Sequence, residues 1–94
     1  MSIPIFDKQP GETLDYDVDM SEFLPSTDTP ASVTKAVNPS GLSLGTTAIN
    51  ASTKVVKQWI SGGAAGTTYK VTLTITSTEG RIKEVEFKIR VKEL

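Results

Sequence analysis

Alternation of apolar and polar residues is the strongest pattern in the chain. Tyr69, Val71, Leu73 and Ile75 alternate with Lys70, Thr72, Thr74 and Thr76. After Ser77-Thr78-Glu79-Gly80, Val85, Phe87, Ile89 and Val91 alternate with Glu84, Glu86, Lys88, Arg90 and Lys92. Period two marks a half-buried strand, and two such runs around a glycine-bearing turn predict a long hairpin. Its apolar face carries large side chains worth about 1.5–3 kcal/mol each when fully buried, so a second sheet must cover it.

The earlier part of the chain supplies that sheet. In residues 12–20, Leu14, Tyr16, Val18 and Met20 alternate with Asp15, Asp17 and Asp19. Residues 21–25 predict one helical turn, capped by Ser21 and stopped by Pro25, followed by a turn over 26–30. Residues 31–37 predict a weaker strand, with Thr34 and Ala36 assigned to its inner face. Asn38-Pro39-Ser40-Gly41 reads as a turn. A strand over 42–49 carries Gly45 as a bulge or break. After a turn near 50–52, residues 53–61 predict a strand ending in Trp59-Ile60. Both of its faces hold apolar groups, so its inner face stays open.

Residues 1–11 contain Pro4, Pro10 and Gly11 beside apolar Ile3, Ile5 and Phe6. They predict an extended N-terminal arm that either covers one end of the core or docks on a neighbouring subunit. The sum is an all-β fold: an immunoglobulin-like β-sandwich of about seven short antiparallel strands over 12–94, preceded by the arm. Tyr69, at the start of a late strand after Gly66-Thr67-Thr68, is a candidate tyrosine corner.

Composition supports this reading and narrows the chemistry. The 94 residues suffice for one domain. Val, Ile and Thr make up 28 of them, and such side chains fit a pleated sheet better than a helix. There is no His and no Cys, and the formal net charge is -1. Disulfide scaffolds, Cys/His zinc sites, thiol nucleophiles and His-based acid–base catalysis are excluded, and no enzyme or cofactor is expected. The balance of charge argues against nucleic-acid binding. No apolar run approaches the roughly 20 residues of a membrane span. The first residues show no basic-then-apolar pattern, so no secretory signal is expected.

Two motifs invite a chemical reading. Asp15, Asp17 and Asp19 alternate on one strand face, but strand rise sets neighbours about 6–7 Å apart, so they do not converge on a metal ion. A solvated or partner-facing row is expected instead. Ser61-Gly62-Gly63-Ala64-Ala65-Gly66 lacks the Gly-Lys-Ser/Thr ending of a phosphate loop and opens into a strand; it is expected as a mobile connection.

Charge is placed unevenly. Residues 1–47 hold seven acids and two bases, a net of -5, while residues 48–94 hold four acids and eight bases, a net of +4. Either Asp15–Asp19 face Lys88–Lys92 within the domain, or an acidic edge meets a basic edge on the next copy, as in a ring.

The chain resembles the small virion proteins of tailed bacteriophages described as fibre–tail adaptors. The resemblance rests on Leu14-Asp15-Tyr16-Asp17-Val18-Asp19-Met20-Ser21, Trp59-Ile60-Ser61-Gly62-Gly63, Gly66-Thr67-Thr68-Tyr69, and Gly80-Arg81 followed by Ile89-Arg90-Val91, across roughly residues 12–92. It departs from the family pattern at Met20, where a Trp is common, and lacks a second Trp in the 31–37 strand. The resemblance implies a non-enzymatic virion component of the tail or neck, made in the host bacterial cytoplasm. It would join tail or neck to fibres or tailspikes by docking on other virion proteins and on copies of itself. Candidate interface residues are Ile5 and Phe6 on the arm, the Asp15/Asp17/Asp19 face, and Trp59 with Gly62 and Gly63, although a core position is the simpler expectation for Trp59. The rival reading is an immunoglobulin-like module that decorates a capsid or binds cell-surface glycan.

Overall fold

The computed structural model describes residues 4–93; Met1, Ser2 and Ile3 of the predicted arm lie outside them. The hairpin forms as its alternation requires, with β6 (Thr68–Ser77) antiparallel to β7 (Ile82–Val91). Their inward residues Tyr69, Val71, Leu73, Ile75, Phe87, Ile89 and Val91 are buried. Five more strands complete two layers. They are β1 (Ile5–Lys8), β2 (Leu14–Asp19), β3 (Pro30–Asn38), β4 (Leu42–Asn50) and β5 (Val55–Gly62). One sheet has the order β1-β7-β6-β3 and the other β2-β5-β4. Met20, Leu24, Leu42, Val56 and Ile60 of the second layer close over the hairpin face. The β-sandwich expected from the strand pattern is the fold observed.

The N-terminal segment is part of a sheet. Strand β1 runs parallel to β7, from Ile5 opposite Lys88 to Lys8 opposite Val91, while the other strand pairs are antiparallel. The Gln9–Thr13 turn then carries the chain across to the other sheet, and Lys8 anchors it. Its side chain is fully buried, and Nζ donates to the carbonyls of Gly62 at 2.6 Å, Gln9 at 2.8 Å and Pro10 at 3.5 Å. Burial holds the Lys8 ammonium below its ordinary pKa, opposed by the charge of Glu12. Asp7 pairs with Arg90 at 2.8 Å and Lys92 at 3.5 Å.

Three local expectations are corrected. In β3, Val33 and Val37 pack on the core, and Thr34 and Ala36 face solvent. Lys35 shares the Val33/Val37 side yet stays at the sandwich edge, where Nζ reaches the Gly45 carbonyl at 2.6 Å and Thr47 Oγ1 at 3.0 Å. The turn after β2 is a 3-10 turn over Met20–Glu22, capped by Asp19 and not by Ser21. The Asp19 carboxylate accepts from the Ser21 amide at 2.9 Å. Finally, Asp15–Asp19 do not face Lys88–Lys92, because β2 and β7 lie in different sheets. The pairing of the first strand with the last does occur, but through Asp7 of β1.

The undecided face of β5 is resolved by its neighbours. Val56, Gln58 and Ile60 point inward and Trp59 outward. Buried Gln58 is satisfied at the β4 irregularity between Leu44 and Thr47. Its Nε2 donates to the carbonyls of Gly45 at 3.0 Å and Trp59 at 2.9 Å, and its Oε1 accepts from Thr47 Oγ1.

Candidate docking surface

Strand β2 presents two different surfaces because its side chains alternate. Asp15, Asp17 and Asp19 lie on the outer face of the three-stranded sheet, in register with Trp59, Lys57 and Val55 of β5. Lys57 Nζ sits 3.2 Å from Asp15 and 4.0 Å from Asp17. The hydrogen bond that Lys57 donates to Asp15, helped by both carboxylate charges, raises the Lys57 pKa. These groups are solvent-exposed, so the pairing adds little stability and leaves the row available to a partner. Asp19 is engaged in its cap, and the Ser21 hydrogen bonds hold its carboxyl below the usual range. Among the described residues no group of three carboxylates is close enough to share a metal ion.

Trp59 stands beside the acidic row and is 38% exposed. Its backbone and Cβ pass within 3.5 Å of where a side chain on Gly45 would begin. The expectation of a core tryptophan is thus corrected, since alternation from inward Ile60 places Trp59 on the outer face.

The inner face of β2 meets the arm. Phe6, Tyr16 and Phe87 form an aromatic cluster with centroids 5.1 Å apart for Phe6–Tyr16, 5.8 Å for Tyr16–Phe87 and 6.0 Å for Phe6–Phe87. Phe6 is 42% and Ile5 53% exposed. With Val18 and Val85, the cluster floors a mainly apolar groove of about 330 Å³. Asp15, Asp17 and Glu86 form its rim. The Tyr16 hydroxyl is buried and finds no hydrogen-bond partner among the described residues. Burial raises its pKa, and the charges of Glu12 and Asp15 add to the effect.

Gly62 and Gly63 follow Trp59 by three and four residues at the C-terminal end of β5, beside Tyr69 of β6. Gly63 has φ +99°, and a Cβ there would come within 2.7 Å of Val91 Cγ2. The stretch expected to be mobile is tied down. The Gly62 carbonyl receives Lys8, the Ala64 amide donates to the Tyr69 hydroxyl at 2.9 Å, and the Gly66 amide donates to the Val91 carbonyl at 2.8 Å. Gly62 and Gly63 lie just beyond the Leu14–Ile60 pair, where Gly62 receives Lys8 and Gly63 packs on Val91 and Tyr69.

The structure thus brings Asp15, Asp17, Trp59 and Phe6 to one side of the molecule, with Gly62 and Gly63 at the adjoining end of β5, where Lys8 bonds and Tyr69 packs. Sequence reasoning missed Tyr16 and Phe87 as parts of the groove because both sit at inward positions of clear strands. The groove above them shows only once Phe6 of β1 and Val18 of β2 are placed beside Phe87. It also missed buried Asp28 and Lys8, for which the local pattern of charged residues carries no signal. The surface offers apolar, hydrogen-bonding and charge contacts, which suit recognition of another polypeptide.

Comparison with known proteins agrees with this architecture. Residues 8–90 match the family described as podophage GP4 fiber-tail adaptor protein gp77. Among solved structures, the chain is similar to the solution structure of the PKD domain from KIAA 1837 protein, with 19% identity and a TM-score of 0.55. The match covers 97% of this chain and 80% of that one, and at such identity it speaks for the fold alone. No curated protein matches the sequence.

Proposed function

The chain belongs to the podophage GP4 fibre–tail adaptor family, and from that premise we propose that it is a structural adaptor of a phage virion. It joins tail or neck to fibres or tailspikes by docking, without catalysis, in several copies. The observation that carries this reading is the continuity of two surfaces on one side of the sandwich. The exposed row of Asp15, Asp17 and Trp59 adjoins the apolar groove at Phe6, Tyr16 and Phe87. A rigid two-sheet core holds both in fixed relation, which lowers the entropic cost of docking. No helix among the described residues is long and apolar enough to cross a membrane.

Cryo-microscopy of the intact particle tests the proposal. Density for this sandwich is expected where fibres meet the tail or neck, repeated around the axis. Density on the capsid surface, or none in the particle, would overturn it.

A further inference from the structure

Strand β7 is longer than the strand that covers its outer edge. Pairing with β1 begins at Ile5 opposite Lys88, with one further bond from the Lys88 amide to the Pro4 carbonyl at 2.8 Å. Upstream of Lys88, no strand among the described residues lies along that edge. The direction of its backbone groups follows from parity. The amides of Lys88 and Lys92 point toward β1, bonding Pro4 and Lys8 carbonyls. Val91, on the other parity, bonds Thr67 and Gly66 on the β6 side. Because β6 and β7 pair without a register shift from Thr68 to Thr76, Ile82, Glu84 and Glu86 turn their N–H and C=O outward from the sheet. The edge opens onto the groove floored by Phe6, Tyr16 and Phe87, and Ile82 at its far end is 70% exposed.

We propose that this edge, Ile82–Phe87, and the aromatic groove beside it bind one extended segment of another virion polypeptide, a segment that carries an apolar residue flanked by Lys or Arg. The segment adds to the sheet in line with β1, so that Glu84 and Glu86 exchange main-chain hydrogen bonds with it. Its inward side chain fills the groove, whose volume of about 330 Å³ takes one or two large side chains. The charge of the rim selects the flanks. Asp15, Asp17 and Glu86 line the groove, and no cation does so among the described residues. Lys57 and Lys70 pair with these acids from outside, yet three carboxylates still outnumber two ammonium groups. A second copy is the poorer occupant. Antiparallel pairing of two such edges centred on the open stretch sets Glu84 opposite its own counterpart, and directly opposed like charges are unfavourable. Charged residues on an edge protect it from self-association while leaving it open to a complementary strand.

This inference rests on the adaptor reading but is tested separately from it. The probe is a capped hexapeptide alternating lysine with valine and phenylalanine, compared with the same peptide bearing glutamate for lysine. Amide exchange of the full chain is followed by NMR at millimolar peptide. The lysine peptide is expected to slow exchange at Glu84 and Glu86 by about tenfold or more, with no such effect from the glutamate peptide. Glu84→Pro removes an outward N–H without touching the β6 ladder, and is expected to abolish the protection. Should that variant not fold, Asp17→Lys/Glu86→Lys keeps the backbone and is expected to reverse the peptide preference. Absence of protection by the lysine peptide would overturn the proposal, as would equal binding of both peptides or undiminished binding by folded Glu84→Pro. Protection that grows with protein concentration alone would assign the edge to a second copy. Protection in the dilute free protein that disappears on deletion of residues 1–3 would assign it to the chain's own N-terminus. Either result would also overturn the proposal. A failed peptide test with the protein still located at the fibre joint leaves the adaptor reading standing; binding by a protein absent from the particle does the reverse.

Discussion

Arg81 donates a 2.8 Å hydrogen bond to the carboxylate of Asp28, a fully buried residue 53 positions earlier in the chain. The same carboxylate accepts from Thr78 Oγ1 at 2.9 Å and from the Glu79 amide at 3.1 Å. One acid before β3 therefore organises the whole β6–β7 turn. Asp28→Ala leaves these donors unpaired beside a void. It is expected to lower the thermal midpoint by on the order of 10 °C, and hydrogen exchange should quicken first at Thr78–Arg81. An unchanged midpoint would show that the turn holds itself.

The same carboxylate sets an acid limit. Burial alone raises its pKa, but hydrogen bonds from Ser77, Arg81, Thr78 and the Glu79 amide outweigh burial and hold it well below the ordinary 3.8. A carboxyl whose folded pKa is depressed contributes stability above its unfolded pKa and loses it as pH falls toward the folded value. The urea midpoint is thus expected to stay level from neutral pH down to about 5 and to fall below about 4. The Asp28→Asn protein should start lower and show a shallower fall. Equal slopes for both proteins would assign the acid limit to other carboxyls, among them Asp7, held low chiefly by Arg90.

Gly63 and Gly66 both adopt positive φ, at +99° and +89°, but only Gly63 is crowded. A Cβ at Gly63 meets Val91 at 2.7 Å and Leu42 at 3.2 Å, both core side chains, whereas at Gly66 there is open space. Gly63→Ala is expected to cost about 2–3 kcal/mol, combining overpacking with backbone strain. Gly66→Ala should cost about 1 kcal/mol from strain alone. Chemical denaturation of the two variants side by side measures the difference.

The Tyr16 hydroxyl is buried without a partner among the described residues, so removing it sacrifices no hydrogen bond to any of them. Tyr16→Phe is expected to leave stability unchanged or raise it by up to about 1 kcal/mol. A clear loss in urea titration would mean that the hydroxyl is bonded in solution.

Trp59 on the outer face predicts a separation of stability from function. Trp59→Ala should cost well under the roughly 3–5 kcal/mol of a core tryptophan, and Asp15→Lys/Asp17→Lys should unfold close to the parent protein. Both variants are expected to enter particles poorly when they supply the only copy of the protein during infection, as judged by immunoblot of purified virions. Normal incorporation of both would remove the outer face from the docking surface.

The hairpin and the two faces of β2 were legible because they are written in period two, whereas β1 lay in a segment expected only as an extended arm. A residue's side of its strand follows from its neighbours two positions away, and Tyr69–Ile75, Val85–Val91 and Leu14–Val18 repeat that signal enough times to be unambiguous. Val33 and Val37 were misassigned because β3 is weakly patterned, with Lys35 between them on the apolar side; the Gly45 and Thr47 contacts that accommodate its ammonium come from another strand. Trp59 and Ile60 offered apolar groups to both faces, and the choice waited for the layer that Ile60 meets.

From local alternation, then, came an all-β chain, the inward face of its clearest strands, and an acidic row on the outer face of β2. Only long-range packing decided that β1 lies parallel on β7, that β2 belongs to the opposite layer, and that among the described residues no strand covers the edge of β7 upstream of Lys88 beside an aromatic groove. The division has a physical cause. Alternation is a local property, carried by the pleat within one strand. Sheet membership and free edges depend on hydrogen bonds and packing between segments distant in the chain, such as Ile5 with Lys88 or Asp28 with Arg81. No local pattern records those pairings.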